Sequence, residues 1–223
     1  DFKAVGLGVW YAGADAPAYL RLDNLLYITN DKGVEKPYAP EIVPLLECLL
    51  RYKLSAYNIV FDGGVLFGLN KCLTKKAQLP DNFILDVLTA CPLTLFRMLA
   101  NEGKQSHSLD VAQQHLLHWE TSQKVWLKET LATEGLTKRD MWKLQHSHPK
   151  EFAQYCAIDA MAAGLVWKQL MNECVRIEKE NVIDFHLEEG MNQIRELIES
   201  AYYGIPLDRK AMKALVIKYY RES

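Results

Sequence analysis

Asp62 stands where the apolar run Ser55–Phe61 (SAYNIVF) gives way to Gly63-Gly64, with Asn58 four positions ahead of it. A carboxylate at the carboxyl end of a strand is where open α/β sheets place ligands and metals, whereas capping a helix is the plainer use of an aspartate there. A second constellation, Tyr155-Cys-Ala-Ile-Asp159, sets a phenol and a carboxylate at i and i+4, on one helix face. The pattern alone is common; its surroundings sharpen it. Asp159 is followed by Ala160, Ala162, Ala163 and Gly164, a small-residue surface suited to close packing against a sheet. A carboxylate on such a face is costly without a metal or a cation beside it. A few oxygen ligands of this kind suit Mg2+ or Mn2+, which keep several waters and bind substrate phosphate. Two such ions about 4 Å apart would stabilise the attacking and leaving oxygens of phosphodiester hydrolysis.

Other chemistry-bearing residues are less pointed. His115-x-x-His118, His107 and the pair His146 and His148 lack the tight four-ligand spacing of a zinc site and read as surface or capping histidines. Gly6-Leu-Gly8 is a lone G-x-G inside a strand, without the third glycine or helix start of a dinucleotide site. Lys71, Lys75 and Lys76 form a small basic cluster, readable as a solvated face or as contacts to a DNA backbone. Trp119, Trp126, Trp142 and Trp167 read as core, not as base-stacking platforms. No Cys-His pair lies close in sequence, so nucleophilic thiol chemistry has no support.

The elements that must position these groups run strands first, helices later. Ala4–Tyr11 fits a buried strand and Ala18–Leu22 its neighbour; Asn30–Lys36 reads as a loop. Pro40 opens a helix whose apolar face runs from Ile42 to Leu50. Ser55–Phe61 and Phe83–Leu85 read as short strands, the latter followed by Asp86 and a helical pattern through Leu99. Ser108 is a candidate N-cap for the next helix, and Gln123–Thr133 gives another. Pro149 starts a long helix through Glu178, and a further helix covers Val182–Tyr203, with Gly204 as its C′ residue and Pro206 as a stop. Asp208 caps a last helix still running at Ser223.

The chain's 223 residues, 49% of them apolar and 24% charged, can bury a sizeable core without staples. A formal net charge of −2 excludes a polybasic binder, but not an enzyme that touches nucleic acid locally. Cys48, Cys72, Cys91, Cys156 and Cys174 are odd in number and widely spaced, which reads as reduced thiols. With no N-x-[ST] acceptor, signal-peptide design or membrane-length apolar run, the expected location is intracellular, in the cytoplasm or the host-cell cytoplasm of a virus.

Five stretches, in order, resemble the 3′→5′ exonuclease domain of family A DNA polymerases of a phage-like kind, the tyrosine-type DEDD branch of the ribonuclease H-like fold. Asn58-x-x-x-Asp62 and Tyr155-x-x-x-Asp159 are similar to that family's second and third motifs. Ile84-Leu-Asp86-Val-Leu is similar to its strand-to-helix segment, and Ser106-His-Ser-Leu-Asp-Val-Ala to its H-x-L-x-x-L-A helix start. Gly204-Ile-Pro-Leu-Asp208 is similar to the turn at which the nuclease domain hands over to the polymerase domain.

The resemblance covers nearly the whole chain and implies an α/β class, with a ribonuclease H-like mixed sheet flanked by helices and followed by helices leading into a polymerase domain. It divides the chain into an exonuclease-like domain at 1–180 and a helical connection at 181–223. It implies that Asp62 and Asp159 ligate Mg2+ or Mn2+, that Tyr155 holds the attacking water, and that Asn58 lies near the terminal nucleotide. The substrate would be the single-stranded 3′ end of primer-template DNA, the partner the rest of the polymerase chain, with no membrane involved. The family's first motif, D-x-E, is not at Asp1-Phe2-Lys3, so it is expected on an upstream strand, and the piece in hand is expected to be inactive alone. Ala201 stands where the family commonly carries glutamate, at the polymerase junction. Two other readings remain open: a catalytically degenerate scaffold that positions DNA or a partner protein, and a related nuclease acting on RNA.

Overall fold

The computed structural model describes residues 2–28, 42–49, 51–77, 83–99, 106–120 and 122–204. Two strands open the chain, β1 (Phe2–Val9) and β2 (Ala18–Ile28), paired antiparallel from Phe2↔Ile28 to Val9↔Ala18, with a register shift between Ala4 and Gly6. Tyr19 lies over Gly6, where any side chain would collide with the ring. From the same strand the Tyr19 hydroxyl donates to the buried Gln145 Oε1 at 2.5 Å, and its ring meets Phe152 edge-on. The β1–β2 hairpin is thereby fastened to the helices that follow.

After α1 (Ile42–Leu49) comes a two-residue strand, β3 (Leu54–Ser55), and then α2 (Ile59–Ala77). The strand expected over Ser55–Phe61 therefore ends almost as it begins. The Asn58 carbonyl accepts from Phe61 N–H at 2.9 Å and from Asp62 N–H at 3.3 Å, so the apolar residues beyond it wind into a helix. The strand expected at Phe83–Leu85 is likewise displaced. Phe83–Val87 is a short helix, α3, and the strand is Leu88–Ala90, β4, which pairs parallel with β3. Asp86 accordingly sits in a helix, ahead of the strand and not behind it.

Helix α4 (Pro92–Leu99) is followed by α5 (Leu109–Ala112), which widens into a π turn at Gln113–Leu117 that ends on His118 in the left-handed region. Ser108 caps α5 as expected, its Oγ accepting from Val111 N–H at 3.4 Å. Helix α6 (Ser122–Thr133), a 3-10 turn (Lys138–Lys143) and α7 (Leu144–Ser147) lead to the long helix α8 (Pro149–Arg176), started by proline at its first turn. Beyond it, α9 (Glu180–Phe185), a π turn (His186–Gly190) and α10 (Met191–Tyr203) run on without a break. Gly204, at φ 75°, ends α10 as the sequence suggests. Pro40, Pro206, Asp208 and the Asn30–Lys36 loop lie outside the described residues.

Among the described residues the molecule is mostly helical, with two separate two-stranded sheets and not one joined mixed sheet. Three apolar clusters hold it. Ile59, Phe67, Leu88, Met191, Ile194 and Ile198 join α2 and α10 over β4. Leu95, Phe96, Val166, Leu170 and Ile183 join α4 and α9 to α8. Leu127, Leu131, Leu144 and Phe152 gather α6 and α7 at the start of α8. Each such side chain contributes about 1.5–3 kcal/mol when fully buried. No described helix is long and apolar enough to cross a membrane.

Candidate active site

Two glycine contacts set where the third and fifth turns of α8 face. Gly8 of β1 lies directly on the Cys156 backbone, and Gly164 carries the Trp10 ring, which a Cβ there would meet at 2.6 Å. The small residues after Asp159 thus serve the close packing that the sequence suggests, with Trp10 fixed by its own Nε1–H bond to the Ala14 carbonyl at 3.0 Å.

On this seam the Tyr155 hydroxyl donates to the Asp159 carboxylate, and both side chains are half-buried. Desolvation is the main cause that pushes the Tyr155 phenol above its ordinary range, and the charge of Asp159 adds to it. Asp159 is itself raised by desolvation, opposed by the Lys124 ammonium and the Tyr155 hydrogen bond and reinforced by Asp110. The Cys156 thiol, between them, is pushed up to about 12 by burial and then by Asp159, so it stays protonated and inert.

Asp62 comes from the first turn of α2, within electrostatic reach of Asp159. Part of its surface is open to solvent, yet protein crowds the carboxyl on its remaining sides. Its value is pushed up to about 6, by desolvation first and by Asp159 as well, against the pull of its own backbone N–H. Asn58 is exposed immediately before α2, one helical turn from Asp62. Three of the four residues singled out by spacing therefore lie on α2 or α8, with Asn58 just before α2; Asp159 is the one that links them, acting on Asp62 and bonded to Tyr155.

Sequence reasoning passed over two further members. Asp110, on α5, raises both Tyr155 and Asp159, and its Oδ1 is ion-paired with Lys124 Nζ from α6. Asp110 lies inside the Ser106–Ala112 stretch, where the cap at Ser108 was the available signal; Lys124 carried none. Behind them Tyr57, raised by burial and by Cys91, donates to the His107 carbonyl at 2.8 Å, fixing the entry to α5.

A carboxylate raised by a neighbouring one, as Asp62 is by Asp159, is a donor that a hydrated divalent cation relieves, and Mg2+ or Mn2+ is held by one or two carboxylates plus waters and substrate phosphate. Asp62 and Asp159 are the carboxylates that would contribute to such a site, and a two-ion site needs more carboxylates than these. Among the described residues no three His, Cys, Asp or Glu side chains lie close enough to form a metal group by themselves. The histidines have other contacts: His107 and His115 pack on Phe96, and His148 Nε2 meets Glu134 Oε1 at 2.6 Å. Lys71, Lys75 and Lys76 fall on the last two turns of α2.

No protein-family model, curated protein or solved structure matches the chain.

Proposed function

We propose that the face formed by Asp62, Tyr155 and Asp159 is the 3′→5′ proofreading exonuclease site of a family A DNA polymerase, hydrolysing terminal phosphodiesters of single-stranded DNA. The observation that carries this reading is that Asp159 acts electrostatically on Asp62, from a distant part of the chain, while the Tyr155 hydroxyl is bonded to Asp159. Asp62 and Asp159 would hold Mg2+ or Mn2+, which supplies a more acidic water and stabilises charge on the phosphate when bound.

The remaining work falls to the chain's own side chains. Tyr155 stays protonated at neutral pH, donates a hydrogen bond to Asp159 and keeps oxygen lone pairs that accept from an attacking water. Asn58, exposed at the start of α2, presents amide donors and an acceptor to the terminal nucleotide. A frayed or mispaired end is favoured because unpairing costs least there.

In the full-length protein, Asp159→Ala is expected to abolish Mg2+-dependent shortening of a 5′-labelled single strand while leaving polymerisation intact. Loss of both activities together, or unchanged shortening, overturns the assignment. Two carboxylates by themselves rarely hold two divalent ions, which supports a second reading, a degenerate nuclease-like scaffold that positions DNA or a partner protein. Tight binding of single-stranded DNA without hydrolysis in either metal selects that reading.

A further inference from the structure

The Lys124–Asp110 pair has no assigned part in the chemistry above, yet it borders the site. Ser108 caps α5 and so fixes Asp110 in its first turn; α5 and its π turn pack on α8, bringing the carboxylate toward the Tyr155–Asp159 face. Lys124 reaches it from the first turn of α6. The ammonium has three N–H donors and Asp110 oxygen is its paired acceptor. Its side chain is 24% exposed, so a ligand can reach it.

Asp159 acts on Asp62 and is itself raised by Asp110, so a phosphodiester approaching this face meets like charge. Lys124 is the cation whose charge acts on Asp159. A lysine pinned by one carboxylate at the edge of an acidic site is preorganised to donate to an incoming anion, because its long stem is already ordered. We infer that Lys124, braced by Asp110, is a phosphate-binding residue of this site, donating to a non-bridging oxygen near the 3′ end of a single strand. The inference rests on the nuclease reading of the face.

Binding of a 5′-fluorescein single-stranded oligonucleotide with a free 3′ end to the full-length protein, followed by anisotropy in EDTA across a salt series, tests it. Lys124→Ala is expected to weaken binding about tenfold, the loss of one charge-assisted bond. It should also lower the log–log salt slope by about 0.7, the signature of one fewer phosphate contact on a single strand. Lys124→Arg should keep both, and Lys168→Ala, exposed on α8, should change neither. In Mg2+ the Lys124→Ala variant should raise KM more than it lowers kcat.

If Lys124→Ala fails to fold because Asp110 is left unpaired, the Asp110→Asn/Lys124→Ala double variant removes that charge and should show the same slope loss. Wild-type slope and affinity in a folded variant overturn this inference alone, leaving the pair a structural strut. A wild-type protein that does not bind single-stranded DNA overturns the nuclease reading and this inference with it.

Discussion

Gly8 of β1 rests against the Cys156 carbonyl of α8, so closely that a Cβ at Gly8 would overlap it. Cys156 lies between Tyr155 and the turn that ends at Asp159, so the strand sets the height at which phenol and carboxylate emerge from the helix.

Gly8→Ala should therefore push α8 from the hairpin. Overpacking of this kind costs about 1–3 kcal/mol. In a chain of this size each kcal/mol lowers Tm by roughly 2–4 °C. Thermal unfolding measures the loss, and any nuclease activity should fall more than Tm alone explains, because the Tyr155–Asp159 pair moves with the helix. Gly64→Ala, where an added Cβ meets open space, is the matched control.

The Asp62 carboxyl, at about 6 against an ordinary 3.8, gives a pH dependence of definite sign. Between those values the folded chain holds a proton that the unfolded chain has released, so the contribution to stability is present at low pH and is lost as pH rises through about 6. Metal binding runs the other way, since the ligand must be ionised. Mn2+ affinity is expected to be about tenfold weaker at pH 5 than at pH 7. Asp62→Asn should flatten the profile. Calorimetric titration at the two pH values checks both, and an equal affinity at pH 5 and 7 would remove Asp62 from the ligand set.

His186 supplies an opposite slope. Its ring is fully buried, Nε2 accepts from Cys91 N–H at 3.2 Å, and burial lowers its value below 6.5. The unfolded ring takes a proton at about 6.5 while the folded ring does not, so stability falls as pH drops through that value. His186→Phe keeps the bulk, strands the Cys91 N–H at a cost of about 1–3 kcal/mol, and should abolish the acid-side fall. Urea denaturation at pH 7.5 and 5.5 measures both effects.

What could be read from the sequence followed from signals that are local and repeated. Proline and helical spacing mark Pro149–Arg176, a serine cap marks the start of α5, and a glycine marks the end of α10. Short apolar runs were ambiguous because strand and helix share them. At Ser55–Phe61 the outcome turns on one carbonyl, that of Asn58, which accepts from residues ahead of it and begins a helix. Asn58, Asp62, Tyr155 and Asp159 stand out by spacing, and the neighbourhood of Asp62 and Asp159 is a tertiary fact that spacing alone does not contain. Lys124 and Asp110 meet only because two separate helices pack on α8, and neither residue type nor spacing marks that meeting.

The π turn at His186–Gly190 works as a fixed screw setting for everything beyond it. Past this turn Arg195 reaches the Leu85 carbonyl with Nε at 2.9 Å and the Leu88 carbonyl with Nη2 at 2.8 Å, while Ile198 lies over Gly63. Deleting one residue between Met191 and Arg195, where the winding is ordinary, would turn the rest of α10 by about 100° and draw it back by about 1.5 Å. The guanidinium would then swing off both carbonyls, so the count of residues from His186 to Arg195 is as constrained as their identity.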